Sequence, residues 1–328
     1  MRLMISGPTY RDGDRRLLYV FPGQGSQHAG MGKTLAERYA AAREVFGAAD
    51  VVLGLSLGEL CFEGPEERLT DTINAQPALF ASSMAALCAL QEAVGDLPRP
   101  IFFAGHSMGE YSALAAAGCI SFADGLRLVR ERGRLMKEAG ARQPGRMAAV
   151  IGLAEEKVAE ICAGAAKRHG GVAQIANDNC PGQVVISGDE ASVDAAMAAM
   201  EKAGARRVVP LAVSIAAHCP LMEPAASALK EKVEATEVRA PAAPLIGNTS
   251  GRPLDSAEAI RDELNAQLTG SVRWRDSMAF AVEAGVDTVV EIGPGAVLTG
   301  LMRRIARKVK RVNVADAEDV RAFGEQLG

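Results

Sequence analysis

The sequence predicts an α/β protein in which a large domain built on a parallel sheet carries a smaller inserted domain. Three observations predict this class. A serine flanked by glycines, Ser107, stands between an apolar run and a helix-like run. Residues 145–213 alternate between strand-like and helix-like patterns. The chain has 328 residues, of which 48% are hydrophobic, and this fits about two domains with sizeable cores.

The first strand is predicted over residues 17–21, and residues 1–16 before it are predicted to be a loose tail. The strand leads into residues 22–27, a turn-forming loop whose two glycines let backbone amides approach a ligand closely. This loop is a candidate binding element. Helical patterns then continue to about residue 93.

The pentapeptide Gly105-His106-Ser107-Met108-Gly109 has the sequence of a nucleophile elbow. Residues 101–104 before it are typical of a short buried strand, and residues 110–117 after it are rich in helix formers. Glycines two positions before and after Ser107 leave no side chains to collide with a sharp turn. The pattern therefore predicts an α/β-hydrolase-like large domain with an exposed serine hydroxyl at the edge of its sheet.

The next helix is predicted over residues 122–139, because Ser121 to Asp124 resembles a capping box. Arg132 lies on this helix, and its guanidinium is a candidate clamp for a carboxylate on an acyl group. Its neighbours Arg127, Arg130 and Arg134 suggest a plain solvated helix face instead. The residues alone favour that second interpretation.

A small ferredoxin-like domain with the order β-α-β-β-α-β is predicted over residues 145–213. Its two helices have one-sided apolar spacing, typical of helices lying on a sheet. The residues 177–182 between its inner strands are a strong hairpin or turn signal. The helices and strands are predicted at residues 147–153, 155–168, 172–176, 183–187, 190–203 and 206–213.

The chain is predicted to return to the large domain after this insertion. That domain then comprises residues 17–144 and 214–315, with residues 316–328 as a C-terminal segment. Its second part is expected to supply a helix over residues 258–268, a strand over residues 288–292 and a last helix beginning soon after Gly295.

Composition excludes several classes of function. Lys and Arg number 36 against 40 Asp and Glu, so no basic field favours nucleic acid. The six cysteines form no C-x-x-C pair, which argues against a metal site and a disulfide framework and favours a reducing cytoplasm. The longest apolar stretch, residues 78–90, is too short to span a bilayer, so no membrane association is expected.

A serine nucleophile needs a base, and the chain has four histidines. His106 adjoins Ser107, but consecutive side chains at a sharp elbow point apart. His28 follows the glycine loop, and His169 lies at a charged helix end. His218 lies where the inserted domain returns, and domain junctions form clefts. Taken alone, a histidine beside a proline is more often a packing or surface residue. The elbow favours His218 as the base, because a nucleophile implies a base and the other three histidines are poorly placed.

Several runs of residues, in order, resemble the malonyl-CoA:acyl carrier protein transacylases of type II fatty acid synthesis and their relatives in polyketide synthases. The resemblance covers roughly residues 17–308. The runs are FPGQGSQ (21–27), QPAL (76–79), GHSMGEYSAL (105–114), RG (132–133), CPGQVVISG (180–188), HC (218–219) and EIGPGAVLTGL (291–301).

The resemblance implies a role for each matching residue. Ser107 would be the nucleophile, His218 its base, and Arg132 the group that grips the malonyl carboxylate. The backbone amides of Gln24 and Met108 would form the oxyanion hole, and the main chain of Gln267 would orient His218. No acidic third member of a triad is then required.

The activity implied by the resemblance is ping-pong transfer of a malonyl group from malonyl-CoA, through a malonyl-serine ester, to the phosphopantetheine thiol of an acyl carrier protein. No bound cofactor is implied. Met108, where leucine is common, and Ala217, where serine or phenylalanine is frequent, depart from the pattern. These departures leave malonyl and substituted malonyl groups both open, with malonyl preferred.

A basic cluster near the end of the chain is a candidate docking surface for an acidic carrier protein or for CoA phosphates, although a solvated helix explains it equally well. It consists of Arg303, Arg304, Arg307, Lys308, Lys310 and Arg311. Two rival functions use the same motifs: a serine hydrolase, and a carrier-binding module without activity. A hydrolase has no use for an arginine aimed at the acyl group.

Overall fold

The computed structural model describes residues 7–13, 15–213 and 215–327, which form an α/β fold. The strands are β1 Tyr10–Arg11, β2 Leu17–Phe21, β3 Leu97–Pro98, β4 Phe102–Gly105, β5 Gly145–Ile151, β6 Ala173–Cys180, β7 Gln183–Asp189, β8 Arg207–Pro210, β9 Leu245–Ile246, β10 Pro253–Leu254, β11 Thr288–Ile292 and β12 Lys310–Val314. The helices are α1 Lys33–Arg38, α2 Ala40–Leu53, α3 Leu57–Glu63, α4 Glu66–Thr70, α5 Thr72–Val94, α6 Gly109–Ala116, α7 Phe122–Arg142, α8 Glu155–His169, α9 Glu190–Lys202, α10 Glu223–Glu234, α11 Ala257–Ala266, α12 Trp274–Glu283, α13 Val297–Ile305 and α14 Ala317–Leu327.

A six-stranded sheet with the order β10-β9-β4-β2-β11-β12 forms the centre of the larger unit. Its neighbouring strands are parallel except β9 and β10. All five residues of β2 are buried, because apolar clusters cover both faces of a parallel sheet. Tyr19 and Phe21 belong to one cluster, and Leu18 and Val20 belong to the other.

A four-stranded antiparallel sheet with the order β6-β7-β5-β8 forms the centre of the smaller unit. One face is covered by α8 and α9, whose buried Val158 and Val193 share a hydrophobic cluster with Ile186 of β7. The other face contributes Met147 and Val185 to the main core. This second face therefore lies against the larger unit.

The chain before β2 differs from the predicted loose tail. β1 pairs in parallel with β3, and the Tyr10 hydroxyl donates a hydrogen bond to the carbonyl oxygen of Ala116 at 2.7 Å. The ring of Tyr10 also lies edge-on to Phe103, with 5.7 Å between centroids. The prediction is wrong for the described part of this segment, because the aromatic ring gains an apolar site. The rest of the predicted tail, residues 1–6 and 14, lies outside the described residues.

Two other segments are more regular than the sequence suggested. β6 continues through residues 177–180, where register shifts mark bulges, so the turn itself is only Pro181 and Gly182. Residues beyond the expected last helix form β12 and α14. Val320 and Phe323 of α14 are buried in the main core, which is why this segment is ordered as a helix.

The longest helix, α5, has the length and composition of a membrane span. However, 83% of its most apolar 18-residue stretch is buried within the protein. This helix packs against α2, α7 and α14 and forms the centre of the core on one side of the six-stranded sheet.

Candidate active site

A sharp turn between β4 and α6 places the Ser107 hydroxyl beside a cavity. Ser107 has a φ of 52°, a left-handed conformation that costs energy for a residue with a side chain. A Cβ on Gly105 would lie 2.0 Å from the carbonyl oxygen of Gly109, and one on Gly109 would lie 2.2 Å from that of Phe21. Both positions therefore require glycine, as the elbow pattern predicts.

His218 lies within hydrogen-bond distance of this serine. Its Nε2 is 2.8 Å from Ser107 Oγ, and its Nδ1 is 2.9 Å and 3.1 Å from the carbonyl oxygens of Gln267 and Gly270. Carbonyl oxygens only accept hydrogen bonds, so they fix the proton on Nδ1 and leave the Nε2 lone pair facing the hydroxyl. This tautomer is the one that a general base requires.

The protonation state of His218 follows from its surroundings. Its side chain is buried, and burial together with the positive charge of Arg132 lowers the pKa of His218 to about 3. The imidazole is therefore neutral at ordinary pH and able to accept a proton from Ser107.

Arg132 is buried beside the same hydroxyl. The residue is 1% exposed, and its Nη2 donates to Ser107 Oγ at 3.1 Å and to Gln267 Oε1 at 3.0 Å. Its Nη1 donates to Gln76 Oε1 at 2.9 Å. Within the described residues, Arg132 has no carboxylate partner and its Nε has no hydrogen-bond partner. The solvated-face interpretation is therefore wrong for this arginine.

The cavity beside Ser107 has a volume of about 350 Å³, and the predicted oxyanion-hole residues Gln24 and Met108 line it. Neither backbone N–H is paired with an acceptor among the described residues. The loop carrying Gln24 approaches the elbow closely, since a Cβ on Gly23 would lie 2.4 Å from the carbonyl oxygen of His106. The two residues expected to supply N–H donors therefore line the same cavity as Ser107.

The rest of the cavity wall is mostly apolar. Met136 of α7 and Met147 of β5 line it together with Ile215 and Ala217 from the segment that precedes His218. The two sheets and this connecting segment therefore all contribute to the site. The departures from the family pattern that the sequence shows, Met108 and Ala217, both lie on this wall.

The other histidines are directed elsewhere. His106 Nε2 is 2.8 Å from Asn179 Oδ1, burial lowers the pKa of His106, and its ring lies 5.4 Å from that of Trp274. His28 Nδ1 lies 3.3 Å from the carbonyl oxygen of Ser26, and His169 is the last residue of α8. Among the described histidines, only His218 lies within hydrogen-bond distance of the Ser107 hydroxyl.

Sequence reasoning missed three polar residues that support the site: Gln76, Glu110 and Asn248. Asn248 Oδ1 accepts the N–H of Ser107 at 2.7 Å, and Glu110 binds Asn248 in turn. Gln76 and Glu110 stand inside motif runs, and Glu110 is an acid within an apolar helix. An acidic residue in an otherwise apolar helix was the sequence feature that could have indicated a functional role for Glu110. Asn248 belongs to no recognisable motif.

A family model described as the acyl transferase domain matches residues 18–324. The chain belongs to the acyl transferase family. This acyl transferase is 43% identical over 305 residues to the malonyl CoA-acyl carrier protein transacylase of Bacillus subtilis, covering 93% of this chain and 95% of that protein.

Solved structures agree with this assignment. The acyl-carrier-protein S-malonyltransferase of Bartonella henselae is 46% identical to this acyl transferase and has a TM-score of 0.90, covering 95% of this chain and 99% of that one. A malonyl-transacylase in complex with a type II polyketide synthase acyl-carrier protein is 43% identical, with a TM-score of 0.91 and coverage of 95% and 99%.

Proposed function

We propose that this acyl transferase moves a malonyl group from malonyl-CoA to the phosphopantetheine thiol of an acyl carrier protein, in fatty acid or polyketide synthesis. The observation that carries this proposal is Arg132, a buried cation 3.1 Å from the nucleophile. Within the described residues it has no carboxylate partner. A buried cation that has neutral hydrogen-bond partners but no paired carboxylate is costly, so a free acid on the substrate is the natural complement. The names of the relatives point to the same acyl group.

The first half-reaction acylates the enzyme. His218 Nε2 takes the proton of the Ser107 hydroxyl while Oγ attacks the thioester carbonyl. The resulting oxyanion accepts hydrogen bonds from the N–H groups of Gln24 and Met108. Collapse of this intermediate breaks the carbon–sulfur bond, and the proton on His218 passes to the departing sulfur. CoA leaves with its thiol, and malonyl-Ser107 remains.

The second half-reaction reverses these steps with a new thiol. His218 removes the proton of the phosphopantetheine thiol, whose sulfur attacks the ester carbonyl of malonyl-Ser107. The carbon–oxygen bond to Ser107 then breaks, and His218 returns its proton to Oγ. Because Arg132 holds the free carboxylate in both halves, the reacting carbonyl keeps the same position.

Replacing Arg132 tests the proposal. Arg132→Ala should lower acylation by malonyl-CoA roughly a hundredfold or more, since hydrogen bonds to charged groups contribute about 1.5–3 kcal/mol each. Acylation by acetyl-CoA should fall much less, because acetyl has no carboxylate. Intact-protein mass spectrometry of the acyl-enzyme measures both rates.

Arg134→Ala is the matched control for this experiment. Arg134 lies on the same helix, but its side chain is 41% exposed and pairs with Glu131 at 2.7 Å. The control should leave both acylation rates unchanged. Equal losses with malonyl-CoA and acetyl-CoA in Arg132→Ala would contradict the proposed role. Release of free malonate without transfer to any thiol would indicate a hydrolase.

We place the docking site of the acyl carrier protein on the basic cluster defined above. Arg303, Arg304, Arg307 and Arg311 line a cavity of about 540 Å³ together with Pro181. Arg304 is held in place because its guanidinium donates to the carbonyl oxygen of Pro181 at 2.8 Å. Carrier proteins are generally acidic, so this concave positive surface suits them.

The finer architecture and the setting are also proposals. We assign residues 17–144 and 214–315 to an α/β-hydrolase-like catalytic domain and residues 145–213 to an inserted ferredoxin-like domain. The sheet order β6-β7-β5-β8 with α8 and α9 on one face supports the second assignment. All six cysteines carry free thiols, which supports a reducing cytoplasm, and we infer catalysis without a bound cofactor.

A further inference from the structure

Glu110 is a fully buried acid in the first turn of α6, three residues after the nucleophile. Its Oε1 accepts hydrogen bonds from the backbone N–H of Asn248 at 3.0 Å and from Asn248 Nδ2 at 2.9 Å. Its Oε2 accepts a hydrogen bond from Gln267 Nε2. Both carboxylate oxygens therefore face N–H donors.

Each partner of Glu110 touches a reacting group. Asn248 Oδ1 accepts the N–H of Ser107 at 2.7 Å. Gln267 Oε1 accepts a hydrogen bond from Arg132 Nη2 at 3.0 Å, and its Nε2 also donates to the carbonyl oxygen of Ser107 at 3.0 Å. Glu110 is thus one residue removed from both the nucleophile and the cation.

We propose that Glu110 is a positioning residue that fixes the side-chain amide of Gln267, so that its oxygen holds Arg132 in the orientation that selects acyl groups with a free carboxylate. This inference rests on the malonyl transfer proposed above. The Gln267 amide is fixed because its NH₂ faces only acceptors, Glu110 and the Ser107 carbonyl, and its oxygen faces only a donor, Arg132.

Only a residue with two acceptor oxygens satisfies this arrangement. A glutamine at position 110 has one acceptor, so its NH₂ group must face either the donors of Asn248 or the NH₂ of Gln267. If Gln267 turns over in response, its NH₂ faces the Arg132 guanidinium and its oxygen faces the Ser107 carbonyl. Each alternative places two donors or two acceptors opposite each other in a buried site, which is costly.

Glu110→Gln tests the proposal, and Glu291→Gln is its matched control. Glu291 is also fully buried, and its oxygens accept from the N–H groups of Leu298 at 3.0 Å and Thr299 at 2.8 Å. It holds the start of α13 and contacts none of the residues around Ser107 within the described chain. Both variants place an amide among N–H donors, so both should lose stability for the same reason. Only Glu110→Gln makes this change beside the residues around Ser107.

The readout is the rate of Ser107 acylation by malonyl-CoA divided by the rate of Ser107 labelling with a neutral fluorophosphonate probe. The probe requires Ser107 and His218 but carries no carboxylate for Arg132. In Glu110→Gln this ratio should fall about tenfold or more, as expected for a lost hydrogen bond to a charged group. In Glu291→Gln the ratio should equal that of the unmodified protein. The KM for malonyl-CoA should rise only in the first variant.

A second variant covers the case in which Glu110→Gln does not fold. Glu110→Asp keeps two acceptor oxygens but withdraws them by about 1.5 Å, one carbon–carbon bond, so the contact with Gln267 lengthens. A reduced ratio in this variant supports the proposal.

An unchanged ratio in a folded Glu110→Gln or Glu110→Asp protein overturns the proposal, because the acid then contributes only to stability. The unmodified protein is measured in parallel. If it does not accept malonyl at all, the proposed function has failed. If it prefers malonyl and the variants keep that preference, only the role of Glu110 has failed.

Discussion

Backbone strain is found at both members of the proposed reacting pair, Ser107 and His218. Ser107 and His218 are the non-glycine residues with positive φ within the described chain, at 52° and 60°. Each is held by several contacts: the Ser107 N–H by Asn248, and the His218 ring by two carbonyl oxygens. Backbone strain of this kind persists only where the surroundings enforce it. The enforcement gives the hydroxyl and the imidazole one fixed geometry before substrate arrives.

The low pKa of His218 predicts an unusual pH dependence. Because burial and Arg132 lower that pKa to about 3, acylation by malonyl-CoA at limiting concentrations should not decline through the ordinary histidine range near 6.5. The measurement is kcat/KM for malonyl-CoA between about pH 5 and pH 8, with circular dichroism at each pH to verify folding. A fall centred near pH 6.5 in folded protein would refute the prediction.

The same shift links His218 to stability. The unfolded chain binds a proton on this residue below about pH 6.5, whereas the folded protein does so only near pH 3. The contribution of neutral His218 to the free energy of unfolding is therefore fully present above pH 6.5. It is lost as the pH falls from 6.5 toward 3. Loss of activity at low pH should therefore follow unfolding rather than titration of the native base.

Individual residues were predictable to different degrees. The elbow pattern is local, so Ser107 could be found from five consecutive residues. Helix spacing could not show that Arg132 is buried, because its contacts with Gln76 and Gln267 are tertiary, and only the family resemblance implied a role for it. Glu110 and Asn248 are 138 positions apart, and no sequence pattern joins them. Polar networks of this kind become visible only when the chain is folded.

Single elements followed their local signals where those signals were strong. α7 begins as the capping box predicts, since Ser121 Oγ accepts the N–H of Asp124 at 3.1 Å. Residues 177–180 do not form the predicted turn, because the side chains of Asp178 and Asn179 and the backbone of Asp178 have partners far along the chain. Asn179 contacts His106, Asp178 pairs with Arg275, and the backbone of Asp178 bonds to Val272. Tertiary contacts therefore extended β6 beyond its local preference.

The proposed docking surface lies on α13, on β12 and on the turn between them. The contribution of its positive charge to binding of the acyl carrier protein can be tested. Replacing Arg303, Arg304 and Arg307 together with glutamine should raise the KM for the acyl carrier protein roughly tenfold at low salt, because long-range attraction is lost. The KM for malonyl-CoA should change much less. Steady-state kinetics with each substrate varied in turn gives both values.

A control with the same loss of charge keeps this test specific. Arg134, Arg239 and Arg321 lie outside α13 and β12, have side chains at least 41% exposed, and pair with acids two to four residues away. Their joint replacement with glutamine should leave the KM for the carrier unchanged. An unaltered carrier KM in the first variant would rule out the docking surface.

At the scale of the whole molecule, the site depends on how the two sheets are held together. Ser107 and Arg132 come from the unit around the six-stranded sheet, while Met147 and Asn177 line the cavity from the four-stranded sheet. The order of strands and helices was readable from periodicity, as in residues 145–213. The contact between the sheets was not, because it depends on long-range pairs such as Asp178 with Arg275.

Arg275 of α12 joins the two units through Asp178 of β6, with 2.9 Å between Nε and Oδ2, and through Glu155 of α8. Burial raises the pKa of Asp178 to about 6. Above that pH the carboxylate is charged and 7% exposed, so it needs its cation. Below about pH 6, Asp178 is neutral and does not need the charge of Arg275.

Removing this cation should therefore destabilise the protein in a pH-dependent way. Arg275→Ala should lower the free energy of unfolding by about 2 kcal/mol at about pH 8, the cost of an unpaired buried charge, and by clearly less at about pH 5. Urea unfolding of variant and unmodified protein at both pH values measures this. Arg239→Ala, which removes a fully exposed pair with Glu237, should cost little at either pH. If Arg275→Ala loses the same stability at both pH values, the charge of Asp178 is not what joins the two sheets.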